Sequence, residues 1–227
     1  MISPAPNPQL LRSLGKLARG LSALFWGLPA TLLISAETAR ADWPKPFNFL
    51  PVLAANALIL YGLWQMSEFQ RQERPWRLAL DRALLLATID LGLSPFVYWY
   101  NRVPDHLFFR DAVLVLAVSG LLLLFNLNLV LKRLGAMLPD ETLRHETRQF
   151  TALNRGLLIF LMLLFLGLTA LTRLQHLPPT LEILVMLLNR ISGWVLIFFV
   201  LLPLAMTMAL IWKTKEVILD AVFGSRN

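Results

Sequence analysis

The sequence predicts an all-α membrane protein, a single bundle of six transmembrane helices with both termini in the cytoplasm. Three observations predict it. First, 57% of the 227 residues are apolar, only 15% are charged, and the mean hydropathy is +0.62. Ordinary soluble domains carry roughly 45–50% apolar and about 25% charged residues, so the excess here has to face lipid. Second, Leu-rich runs of about 20 residues, each able to cross about 30 Å of hydrocarbon, recur along the whole chain. They lack the period-2 alternation of a barrel strand, and backbone groups in lipid must bond within their own segment, so the runs are helices. Third, Lys and Arg collect in the connections, 15 on one side of such a bundle and six on the other. The richer side is the cytoplasmic one.

The same observations exclude a soluble enzyme, a disordered tail and a disulfide scaffold. With no cysteine, there is no disulfide, thiolate metal site or Cys nucleophile. The formal charge of +7 sits in loops between apolar runs and not on one continuous face, so it orients the chain in a membrane and does not bind nucleic acid.

Span one is Leu17–Ala36, preceded by Arg12, Lys16 and Arg19. A rival reading takes it as a signal peptide, because Ala39-Arg40-Ala41 resembles a small-x-small cleavage site. The run is long for a signal core and contains Trp26 and Pro29, which favours a retained anchor. Span two is Phe47–Met66, entered through Trp43-Pro44-Lys45-Pro46, an interfacial anchor. Arg71, Arg74, Arg77 and Arg82 precede span three, Ala83–Tyr100, which ends in Tyr98-Trp99-Tyr100. Phe108 and Phe109 complete that aromatic belt across Pro104 and lead into span four, Ala112–Leu131.

Span five is Gly156–Leu171, and the stretch 139–155 before it reads as a cytoplasmic helical extension. Pro139, Asp140 and Glu141 suit a helix start, and Leu143, Thr147, Phe150 and Asn154 mark one face. A single helix from Pro139 to Leu171 would be about 50 Å long and project about 20 Å beyond the bilayer. Span six is Ile191–Trp212, extended by 213–223 until Gly224. Leu181–Leu188 is too short to span alone. It either lies in the interface or lengthens span six, with Asn189 and Arg190 turned inward.

A weak repeat opens spans one, three and five: Leu17-Ala18-Arg19-Gly20-Leu21, Leu80-Asp81-Arg82-Ala83-Leu84 and Leu153-Asn154-Arg155-Gly156-Leu157. Three related hairpins would give this pattern. So would Leu-rich spans that each begin with an interfacial Arg.

Asp90 is the one carboxylate inside any predicted span. An ionised carboxylate at that depth costs at least a few kcal/mol, so it should be protonated, paired or wet. Asn126 and Asn128 sit at comparable depth in the next span, and antiparallel packing can bring either amide to Asp90. Asp90, Asn126 and Asn128 therefore form the candidate intramembrane polar cluster. One reading makes Asp90 a proton or cation site; the other makes it a neutral acid that hydrogen-bonds spans three and four together. The remaining buried polar candidates, Asn56, Ser94, Ser119 and Thr207, are few for a transporter.

Enzyme motifs fail on inspection. Ala117-Val118-Ser119-Gly120 resembles the G-x-S-G nucleophile motif of rhomboid proteases, but its first Gly is Ala and no His lies inside a span. His145-Glu146 lacks the second His of H-E-x-x-H, and His106 with His176 makes a poor metal set. No catalytic residue, cofactor or metal is expected. Arg82-Ala83 followed by Ile89-Asp90 is similar to the Arg…Ile-Asp opening of the RDD family of bacterial membrane proteins, and Lys132-Arg133-Leu134-Gly135 resembles part of that family's basic loop. The Gly-rich stretch of that family and a second intramembrane Asp are absent, so membership is not claimed.

The resulting expectation is an integral protein of a bacterial cytoplasmic membrane, a non-catalytic membrane subunit or assembly factor. Arg144 and Arg148, on the charged side of the 139–155 helix, are the candidate docking face for another protein or a second copy; otherwise they are a solvated face. The alternative is a small proton-coupled transporter or channel using Asp90.

Overall fold

The computed structural model describes residues 8–40, 48–70, 72–103, 105–138, 141–173 and 179–223. Among them the secondary structure is helical throughout. In chain order the helices are α1 (Pro8–Arg40), α2 (Leu50–Met66), α3 (Arg74–Leu93), α4 (Phe96–Arg102), α5 (Leu107–Met137), α6 (Glu141–Arg173) and α7 (Pro179–Phe223). Five stretches are long and apolar enough to cross a membrane, and α2 is a shorter apolar helix. The chain is thus a polytopic helical membrane protein. The expectations placed on Ala41, Trp43 to Phe47, Pro104, Pro139, Asp140, His176 and Gly224, and on the side chains of Leu143, Asn189 and Arg190, lie outside the described residues.

Neighbours along the chain pack as neighbours in space. α1 lies against α2, α2 against α3, α3 against α5, α5 against α6, α6 against α7, and α7 closes back on α1. A further α5–α7 contact crosses the ring, and α4 rests on α1 and α5. The core follows the helical repeat. Leu17, Leu21, Leu24 and Leu28 of α1 are buried against Ile59, Leu63 and Met66 of α2. Leu127, Val130, Leu131 and Leu134 of α5 meet Leu158 of α6 and Leu210, Ile211 and Ile218 of α7 in the same core. The opposite faces carry Trp26, Leu33, Leu85, Leu163 and Phe198 to the outside, which is the side that lipid solvates.

One element differs from the sequence reading, and two others follow it. The helix that carries predicted span three begins nine residues earlier than Ala83, at Arg74, and it breaks before Tyr100, at Ser94-Pro95. Pro95 has no amide hydrogen for the carbonyl of Leu91, and the hydroxyl of Ser94 supplies one instead, at 2.8 Å. The chain then tightens: Val97 N donates to Ser94 O at 3.3 Å and Tyr98 N to Pro95 O at 3.2 Å, the i→i+3 pattern of a 3₁₀ turn. As expected, α6 is one unbroken helix, so the 141–155 stretch runs straight into span five. Of the two alternatives for residues 181–190, the structure has the second: α7 runs continuously from Pro179 to Phe223, so they lengthen the helix of span six.

Ion pairs cluster at the basic end of the bundle. Lys16 of α1 pairs with Glu68 just beyond α2, and Lys213 of α7 pairs with Glu146 of α6. At the other end Phe96, Trp99, His106, Phe108 and Phe109 form a continuous set of ring contacts, with centroids 5.0 to 6.2 Å apart for Phe96–Phe108, Trp99–Phe109 and His106–Phe109. Such amphipathic rings suit a headgroup layer.

Candidate functional site

The three residues grouped from the sequence do not come together. Asp90, Asn126 and Asn128 separate into two sites on different faces of α5.

Asn128 of α5 turns away from α3 and toward α6 and α7. Its amide donates to Leu124 O at 2.8 Å and to the Thr207 hydroxyl at 2.9 Å. Its carbonyl oxygen accepts from Asn154 Nδ2 at 3.1 Å, and Asn154 Nδ2 also lies 3.0 Å from Thr207 Oγ1 and 3.1 Å from Pro203 O. The Thr207 hydroxyl in turn donates to Pro203 O at 2.7 Å. Asn128, Asn154 and Thr207 are all at most 2% exposed. Three helices are therefore joined through two amides, one hydroxyl and the carbonyl of a proline inside α7. Asn126 takes no part: its amide donates to Leu122 O, one turn back on its own helix. The expected pairing of Asp90 with Asn126 or Asn128 is thus corrected: Asn126 bonds within its own helix and Asn128 toward Thr207 and Asn154.

The α6 side of this contact has a heptad rhythm. Thr147, Thr151, Asn154, Leu158 and Leu161 are buried, spaced alternately four and three residues apart, as in a helix-packing seam. α7 buries a similar row, Leu204, Thr207, Ile211, Thr214 and Ile218, of which Thr207 meets Asn154 of α6. The α6 seam is polar toward the basic end and apolar toward the other. Thr147 packs on Gly135 of α5, where a Cβ would stand 3.2 Å from Thr147 Oγ1. Gly135 thus lets α5 and α6 approach closely.

Asp90 forms the second site. It lies in the last turn of α3, immediately before the Ser94-Pro95 break, and Ser94 N donates to its carbonyl at 2.9 Å. The side chain is 3% exposed and faces α5. Ser119 is its polar neighbour there, and a Cβ on Gly120 would stand 4.0 Å from Asp90 Oδ2. Neither Asp90 Oδ1 nor the Ser119 hydroxyl completes a hydrogen bond. No ion pair relieves the carboxyl either. α2 carries no charged residue, and the charges of α5, Arg110, Asp111, Lys132 and Arg133, lie toward its two ends.

Arg144 and Arg148 are both exposed on α6. They are not equivalent. Arg144 Nη2 reaches Leu138 O at 3.4 Å and Ala136 O at 3.5 Å, so it caps the end of α5. Its neighbour Glu146 is engaged with Lys213. Among the described residues no group of three His, Asp or Glu side chains is placed to hold a metal ion.

Sequence reasoning missed Asn154 as an intramembrane group, because the predicted span began two residues later. The available signal was a polar residue, Asn128, Asn154 or Thr207, toward the basic half of each of three apolar helices. Comparison with known proteins returns no matching family model, no matching curated protein and no matching solved structure. The short likeness to RDD proteins around Arg82 and Asp90 is therefore unsupported by any family match.

Proposed function

We propose that this integral membrane protein is a non-catalytic membrane subunit or assembly factor, whose bundle presents the α6 extension to a partner. One observation carries the reading: Asn128, Asn154, Thr207 and the Pro203 carbonyl bond to one another across three helices. Polar groups used this way fix helix positions, and they leave fewer groups for a substrate. The rigid contact extends to the basic end, where Lys213 and Glu146 hold α6 against α7. There the solvent side of α6 presents Arg144, His145, Arg148 and Gln149, with Phe150 and Leu153 beside them, all exposed. Charged residues next to exposed large apolar ones suit a protein partner at the membrane surface.

Isolation of the tagged protein in mild detergent tests this. A stoichiometric partner that is lost on Arg148→Glu, with the bundle intact, supports it. An isolated monomer with no bound partner, active in pH-driven flux, overturns it.

A second reading, a proton-coupled transporter or channel using Asp90, is favoured by the helix break beside that residue. Interrupted helices next to a buried ionisable group are a recurrent arrangement at transport sites.

A further inference from the structure

We propose that Asp90, Ser119 and Gly120 form a proton-binding site open from the flank of α5, with Gly120 as the entrance through which a single water exchanges the carboxyl proton. The inference concerns how the carboxyl is reached, so it stands apart from whether the protein binds a partner or transports.

Three observations carry it. Asp90 and Ser119 are each at least 95% buried, and both end in an oxygen without a hydrogen-bond partner. Ser119 is the polar neighbour of the carboxyl across α3 and α5, and the unmet bonding capacity of the two groups suits a small polar molecule such as water, which makes two to four bonds of this kind. The space is present. A Cβ at Gly120 would meet only Asp90 Oδ2, at 4.0 Å, so a methyl-sized volume lies open between the α5 backbone and the carboxyl. It lies on the surface side of the carboxyl, because Gly120 is half-buried while Asp90 behind it is buried. Gly20, Gly62 and Gly135 differ in being filled by a neighbouring helix, and Gly15, Gly92, Gly156 and Gly167 in meeting no polar group.

The charge environment selects a proton over a metal cation. One carboxyl and one hydroxyl are too few oxygens for Na⁺ or a divalent ion. The elements packed on α3 bring no countercharge to Asp90: α2 has none, the α5 charges are toward its ends, and on α3 itself Arg74, Arg77, Asp81 and Arg82 lie at least two turns away and exposed. An ionised carboxylate would stand alone in hydrocarbon, and a bound proton removes that cost.

Infrared spectroscopy of the whole protein in lipid at neutral pH, transferred from H₂O to D₂O, tests the site. The expected result is a protonated-carboxyl band that is absent from Asp90→Asn, and that shifts on transfer because its proton exchanges. Gly120→Leu should keep the band and slow its shift, while Gly120→Ala, which the space accommodates, should slow it less. A parallel reaction with a lipid-soluble carbodiimide gives a second readout. The carboxyl proton passes to a carbodiimide nitrogen, the carboxyl oxygen bonds to the central carbon, and the adduct rearranges to a stable N-acylurea on Asp90. Labelling at Asp90 that Gly120→Leu abolishes supports the entrance. No carboxyl band assignable to Asp90 overturns the proton site. A band whose exchange and labelling are unchanged in Gly120→Leu overturns the entrance.

Discussion

Gly20 and Gly62 face each other backbone to backbone across α1 and α2: a Cβ on Gly20 would stand 2.6 Å from Gly62 O, and one on Gly62 would stand 2.9 Å from Gly20 O. No side chain fits between them, and the close approach lets Leu17, Leu21 and Leu24 bury fully against α2. In lipid, where helices gain nothing from leaving water, such contact is a main source of association. Gly20→Leu and Gly62→Leu should each separate the two helices and cost about 1–3 kcal/mol or more, as overpacking does. Thermal melting in detergent checks this. Gly15 and Gly156 have open space at the same position, so Gly15→Ala and Gly156→Ala should be neutral or stabilise by about 0.5–1 kcal/mol.

The three-helix amide contact should behave as a unit. Asn128→Ala and Asn154→Ala each remove groups that the other needs, so their effects should fall short of additive. Hydrogen bonds between membrane helices are worth about 0.6 kcal/mol on average and at most about 1–2. A double-mutant cycle measured by unfolding in mixed micelles should return a coupling in that range. A coupling near zero would mean that the two amides do not bond.

Ser94 and Pro95 offer a test by rescue. Ser94→Ala removes the donor to Leu91 O and leaves a carbonyl unpaired beside Asp90, at a cost of about 1 kcal/mol. Pro95→Ala restores the missing amide hydrogen. The double variant Ser94→Ala/Pro95→Ala should therefore melt above Ser94→Ala alone, a sign reversal that simple loss of packing does not give.

Asp90→Asn keeps the shape of the side chain and removes its ability to ionise. The variant should stay inserted and melt within about 1 kcal/mol of the parent. In the leading reading it also complements a deletion strain. A folded but inactive Asp90→Asn protein, assayed in proteoliposomes and by complementation, would instead establish the proton-carrier reading. Asp90→Leu fills a similar volume without a polar atom and should change stability by a similarly small amount, because one carboxyl oxygen, Oδ1, has no hydrogen-bond partner to strand.

The charge split of 15 against six predicts both chain ends on one side. Reporter fusions after residue 227 should place that end in the cytoplasm. A chain starting at Asp42 would lack α1 and expose the α2 face formed by Val52, Ile59, Leu63 and Met66.

The fold class was legible in the sequence because lipid leaves a chain few choices: Leu-rich runs must be helices, and Arg and Lys must stay near the ends. The same rules placed α1, α2 and α5 within a few turns of their observed limits. They also showed that Asp90 is unusual, since an isolated carboxylate in an apolar run is visible without coordinates. What the sequence left open was which faces meet. Asn126 and Asn128 are two residues apart and nearly identical in depth, yet their side chains leave α5 about 200° apart, given the helical 100° step. Only the placement of α6 and α7 decided that Asn128 bonds to Asn154 and Thr207 while Asn126 bonds to its own helix. The same placement decided that Asp90 meets Ser119 and Gly120 and no amide. Depth along a helix is a one-dimensional quantity that hydropathy records. Rotation about the helix and the order of neighbours are set by packing across the bundle, by contacts such as Gly20 on Gly62 that join residues far apart in the chain.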